Sequence, residues 1–179
     1  MKKIMVIASF LGFATFAFVA CEKDDICGKE EPTTPNYKIQ FFNYEDQEIA
    51  KNGLVEAFSI GISDTIRSTG NTLLLPLRLD QQQTDWVLQI KETKGKETII
   101  HRDTLSLKYR INTHYLNKAC GYVSTFSLLQ DGSSPLLNGK PNTTKGNWIK
   151  LYRTETNEID NNLENNNEDE IQAHFKIFY

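Results

Sequence analysis

An all-β domain, an antiparallel β-sandwich of about seven to nine strands, is the fold class this sequence predicts. Three observations carry the prediction. Beyond Pro35, apolar residues alternate with polar ones in run after run, the period of a half-buried strand. The runs recur about every ten residues, between turns rich in Gly and Asn. After residue 20 only Ala50, Ala57, Ala119 and Ala173 remain as alanines, while Thr, Ile, Leu, Tyr and Phe are plentiful. Alanine is the best helix former, and β-branched and aromatic residues suit a pleated sheet. A chain of 179 residues holds one domain's core and not two.

Residues 1–20 stand apart. Lys2 and Lys3 precede an apolar stretch from Ile4 to Val19, broken only by Ser9, Gly12 and Thr15. A basic head, an apolar middle and small Ala20 at the end make a signal peptide. The stretch is short for a transmembrane helix, which needs about 20 residues. Phe18-Val19-Ala20-Cys21 resembles the lipobox of bacterial lipoproteins, with Phe where Leu is commoner. The resemblance implies cleavage after Ala20, diacylglycerol on the Cys21 thiol and an acylated amine. Two or three acyl chains anchor stably where one does not. Lys23-Asp24-Asp25 resembles the acidic signal that carries lipoproteins of the Bacteroidota to the cell surface. The expected location is the outer membrane, at its surface or periplasmic face. Residues 21–35 read as an acylated tether, kept extended by Pro32 and Pro35.

Residues 36–179 are the expected sandwich, of immunoglobulin/transthyretin-like kind. Tyr37, Ile39 and Phe41 open it. Phe58, Ile60 and Ile62 follow, then Leu73, Leu75, Leu77 and Leu79, with Pro76 marking an edge strand or bulge. Trp86, Leu88 and Ile90 lead through Lys94-Gly95-Lys96 into Ile99 and Ile100, the pattern of a tight hairpin. Leu105, Leu107, Tyr109 and Ile111 continue, and Thr113 to Lys118 read as one helical turn. Tyr122, Phe126 and Leu128 come next, then Ile149 and Leu151, and last Phe175, Ile177 and Tyr179. An aromatic end on an alternating strand also suits an outer-membrane barrel, the rival architecture, although the runs are short for one and carry charge on both faces.

Of 20 basic residues two are Lys2 and Lys3, so 18 face 23 acids in the remainder, a net charge of −5. That excludes a nucleic-acid partner, which needs clustered base. With Cys21 acylated, Cys27 and Cys120 remain, an even number in an oxidising compartment, and a disulfide between them is expected. No CxxC or close Cys/His pair offers a metal site. Residues 154–170 hold seven acids among asparagines; they read as a solvated loop, with calcium binding as the alternative. His101, His114 and His174 are far apart, and no nucleophile elbow, zinc-protease helix or phosphate loop occurs. No catalytic residue and no cofactor is therefore expected. Trp86 shares a phase with Leu88 and reads as core, whereas Trp148 and Tyr152 share one with Lys150 and read as an exposed glycan-stacking platform. Asp64-Thr65-Ile66 and Asp103-Thr104-Leu105 resemble the O-glycosylation site of exported Bacteroidota proteins, which implicates Thr65 and Thr104.

The sequence is also similar to a family of uncharacterised Bacteroidota lipoproteins, a domain of unknown function. The likeness rests on residues 21–27, on Thr33-Thr34-Pro35 leading into Ile39-Gln40-Phe41-Phe42, on Ala119-Cys120-Gly121-Tyr122 and on residues 174–179. It includes the second and third cysteines and implies an outer-membrane β-barrel protein as a partner. The expected function is an outer-membrane lipoprotein serving as a non-enzymatic accessory or binding domain of the cell envelope. A glycan-binding module of an uptake system and a hydrolase without a recognisable motif are the alternatives.

Overall fold

The computed structural model describes residues 26–29, 31–59, 62–141, 143–160 and 173–179. They form two compact units. The smaller joins the described tether residues up to Glu31 to Tyr115–Tyr122; the larger comprises Pro32–His114 and Val123–Tyr179. The described residues hold eleven strands and no helix: β1 (Tyr37–Phe42), β2 (Glu56–Ser59), β3 (Ile62–Arg67), β4 (Thr72–Leu75), β5 (Gln83–Lys94), β6 (Glu97–Asn117), β7 (Gly121–Leu128), β8 (Leu136–Leu137), β9 (Leu151–Thr154), β10 (Glu158–Ile159) and β11 (Phe175–Phe178).

Two open sheets result. One has the order β4-β1-β11-β9, the other β10-β7-β6-β5-β2-β3, with β8 also paired to β6. Tyr37, Ile39, Phe41, Phe175 and Ile177 of the first sheet form one buried cluster with Ala57, Trp86, Leu88, Leu105, Leu107 and Phe126 of the second. Burying each large apolar side chain is worth about 1.5–3 kcal/mol, so the alternation is what drives the sheets together. The fold is the expected all-β sandwich, with a filled core between two sheets and not one closed barrel. β11 lies between β1 and β9, parallel to β1, so the aromatic terminal strand is central in its sheet.

The hairpin at Gly95 forms as expected: β5 and β6 pair from Gln83↔Lys108 to Lys94↔Glu97 around a two-residue turn, and Gly95 takes φ 65°. Elsewhere the structure corrects the sequence reading. The Phe58–Ile62 run is two strands, β2 and β3, paired antiparallel; Ile60 lies outside the described residues. β4 stops at Leu75, because Pro76 has no N–H to continue a ladder, and Leu79 is exposed. Thr113 to Asn117 belong to β6 and not to a helical turn, since Thr113 hydrogen-bonds Ser124 across to β7 and the Tyr115 ring meets that of Tyr122. Tyr122 shares the parity of Phe126 and Leu128 but is exposed, because it belongs to the smaller unit and not to the core cluster. The strand count exceeds expectation because that hairpin splits one run and because β8 and β10 have only two residues each.

Candidate functional site

The second sheet carries a polar cleft of about 610 Å³, within the size range of small-ligand sites. Arg110 and Asn112 come from β6, Ser127 and Leu128 from β7, Leu129, Gln130 and Asp131 from the chain after β7, and Glu158 from β10. Pairing of β10 with β7 sets Glu158 opposite Ser127. The Ser127 hydroxyl donates to Glu158 Oε2 at 2.6 Å, and Asn112 Nδ2 donates to Ser127 Oγ at 3.4 Å. The Ser133 amide donates to Asp131 Oδ1. Arg110 is exposed and enters no ion pair among the described residues. One guanidinium, two carboxylates, a hydroxyl and two amides thus line the cleft beside Leu128 and Leu129. Ser127 has the contact of a nucleophile with a base, but a carboxylate alone is a weak base for a hydroxyl, and no histidine is among the lining residues. The arrangement suits recognition by hydrogen bonds.

The histidines lie elsewhere. His101 Nε2 sits 3.3 Å from Glu92 Oε2 on the exposed β5–β6 hairpin, and His114 is exposed on β6. His174 is buried; its Nδ1 accepts the Lys38 amide at 2.9 Å, while its Nε2 has no hydrogen-bond partner among the described residues. Burial first, and then the nearby Lys38 charge, push its pKa down to about 4.

Trp148 is not an exposed platform. It is 6% exposed, its Nε1 donates to the Leu88 carbonyl, and its ring meets Tyr179 edge-on at 4.9 Å. Tyr152 packs on Phe175 at 4.8 Å and reaches the Pro135 carbonyl with its hydroxyl. The reason is Asp103, which in the sequence stands in the glycosylation-like Asp103-Thr104-Leu105 pattern. Its buried carboxylate accepts the amides of Asn147, Trp148 and Ile149 at 2.6, 2.9 and 3.0 Å, and Asn138 Nδ2 at 2.7 Å. Four donors wrap the loop before β9 around one charge and carry Trp148 inward. Gly146 lies so close that a Cβ there would collide with the Asp103 carboxylate. The signal was parity: Asp103 shares its phase with Leu105, Leu107 and Tyr109.

Glu56 anchors a second network, across β3, β2, β5 and β6. It accepts from Lys91 Nζ at 2.8 Å, Gln89 Nε2 at 2.7 Å and Arg67 Nε at 3.2 Å, and Arg102 Nε donates to Gln89 in turn. The hydrogen bond from Lys91, followed by that from Gln89, lowers the Glu56 carboxyl to about 2.

Cys27 and Cys120 form a disulfide, with Cα atoms 4.8 Å apart. Cys21 lies outside the described residues. Thr65 is exposed on β3, at the edge of its sheet, and Thr104 is half-buried within β6. Of the acidic, asparagine-rich segment, residues 161–172 are outside the described residues; no cluster of three metal-ligating side chains occurs among the described ones.

The model of DUF6452, a family of unknown function, matches residues 55–179. No curated protein and no solved structure matches the chain. The family match takes in the cleft, Asp103, Glu56 and Cys120 and begins after β1 and Cys27.

Proposed function

We take as premise that the chain belongs to DUF6452, a family of unknown function, and we propose that it is a lipid-anchored binding protein of the outer membrane, not an enzyme. One observation carries the anchoring. Of three cysteines, two are joined to each other. The odd one, Cys21, follows Phe18-Val19-Ala20 at the end of the apolar N-terminal stretch. Thiol chemistry at Cys21 is thereby separated from disulfide formation, as an acylated terminus requires. Labelled palmitate fed to expressing cells should enter the wild-type protein and not Cys21→Ser, and the variant should leave the membrane fraction. A variant still held firmly in the membrane would overturn the reading.

The binding role rests on the cleft between Arg110 and Glu158. Its mixture of hydroxyl, amide, carboxylate and guanidinium groups matches a hydroxyl-rich ligand, which favours a glycan as the second reading even though Trp148 is closed to it. Titration of the protein with neutral and acidic oligosaccharides, followed by NMR, should shift the amides of Ser127, Leu129 and Glu158. Arg110→Ala should weaken those shifts. Shifts confined to other surfaces would remove the cleft from the account.

A further inference from the structure

The smaller unit has an exposed aromatic tip that the binding cleft does not use. Tyr115 is 59% exposed and Tyr122 72%, and their rings meet edge-on at 5.2 Å across the β6–β7 hairpin. Asn117 Oδ1 accepts the amides of Ala119 and Cys120, which fixes the turn between them. Ile26, 82% exposed, precedes Cys27, which is bonded to Cys120 in that turn. The hairpin is also free of acid: residues 104–130 contain no Asp or Glu in a chain with 23, and Lys118 stands at the turn.

We propose that the disulfide is a tether clamp, which sets the Tyr115–Tyr122 tip into the headgroup layer of the membrane that holds Cys21. The inference rests on the acylation of Cys21. From Cys21 to Tyr37, where the sandwich begins, an extended chain could reach about 50 Å. Through the disulfide the path from Cys21 to the hairpin is the six-residue step to Cys27, at most about 20 Å, and then 4.8 Å between Cα atoms. The clamp therefore removes about half of the reach and delivers this hairpin to the bilayer ahead of the sandwich. Tyrosine rings have an apolar body and a polar tip and concentrate at membrane interfaces. The tether beside the hairpin carries Glu22, Asp24, Asp25, Glu30 and Glu31, so the draw to the interface rests on the two rings and the exposed Ile26, with Lys118 the charge at the turn itself. A protein partner or a sugar could also meet two tyrosines, but neither would explain why the short arm of the tether ends beside them.

The test uses the full acylated protein in vesicles of phosphatidylethanolamine and phosphatidylglycerol doped with nitroxide-headgroup lipid. 3-Fluorotyrosine is placed singly at Tyr115, Tyr122 or Tyr44, a tyrosine of the larger unit, and read by fluorine NMR. Intact mass first establishes the acyl chains, and flotation establishes attachment. The signals at Tyr115 and Tyr122 should broaden strongly and that at Tyr44 should not. A flexible Gly/Ser spacer inserted after Asp24 keeps the disulfide and should relieve the broadening; the same spacer inserted after Glu31 should leave it. Absence of acyl chains overturns both the anchoring and this inference. Acylated, floating protein whose three signals broaden alike, or whose two spacers act alike, overturns the clamp alone. Fluorine shifts at Tyr115 and Tyr122 with soluble oligosaccharide, without broadening in vesicles, would reassign the tip to sugar.

Discussion

Asp103 shows how much one side chain decides in this fold. Removing its carboxylate by Asp103→Ala leaves three backbone amides and the Asn138 amide without their acceptor. Orphaned buried donors of this kind cost about 3–5 kcal/mol together. The urea midpoint should fall accordingly, and Trp148 emission should move to the red as its loop opens. Two other residues predict the pH dependence. The folded pKa of His174, about 4, is below the usual 6.5, so the unfolded chain binds the proton more readily. Its contribution is complete above pH 6.5 and is lost as pH falls towards 4. Glu56 is also depressed, to about 2 against 4.5, so its contribution is present above pH 4.5 and lost as pH falls towards 2. Urea midpoints measured against pH should therefore decline in two successive windows, an upper one between about 6.5 and 4 and a lower one between about 4.5 and 2. Glu56→Gln should flatten the lower one and His174→Gln the upper one. Neither residue was legible in the sequence. Burial of a lone histidine depends on β11 lying inside its sheet, and the cross-strand row around Glu56 depends on registers that no local pattern encodes.

Elements were legible wherever the alternation of side chains was also the alternation of burial. β1, β5, the middle of β6 and β11 each bury the phase that the sequence marks. The β5–β6 hairpin was readable to the residue, because a two-residue turn containing Gly95 leaves one register. Nothing lies within 4 Å of a Cβ built on Gly95, whose φ is +65°. Gly95→Ala should thus cost about 1 kcal/mol through backbone strain alone, and Gly95→Asn less, as thermal unfolding of the two variants would show. What failed were the ends of elements. The Phe58 run hid a hairpin, because both of its strands are apolar on the same parity. The Tyr122 run keeps its parity but loses its burial where β7 leaves the core cluster. The parallel pairing of β1 with β11 joins residues more than a hundred positions apart, and local periodicity carries no information about such partners. At β11 the packing term dominates: Phe175→Ala should cost about 3–5 kcal/mol, far more than any change in the hairpin turn.

At the scale of the whole molecule, the disulfide takes two of the three cysteines and leaves Cys21 for the acylation proposed above. The bond closes a separation of 93 residues, for which the chain-entropy estimate is about 4–5 kcal/mol, with measured losses typically about 2–5. Cys27→Ser with Cys120→Ser should lower the unfolding free energy by that amount, and reduction of the wild type should match it. The pairing and the sandwich could be anticipated from the sequence, since cysteine parity and strand period are local counts. The cleft could not, because Arg110, Ser127 and Glu158 come from three strands whose order appears only on folding. The account as a whole depends on the chemical state of one terminus. Intact mass spectrometry of the protein purified from native envelopes tests it most directly. The predicted mass is that of a chain starting at Cys21 with a diacylglyceryl thioether, an acylated amine and one internal disulfide. A chain retaining the first twenty residues, or one beginning at an unmodified Cys21, would contradict it.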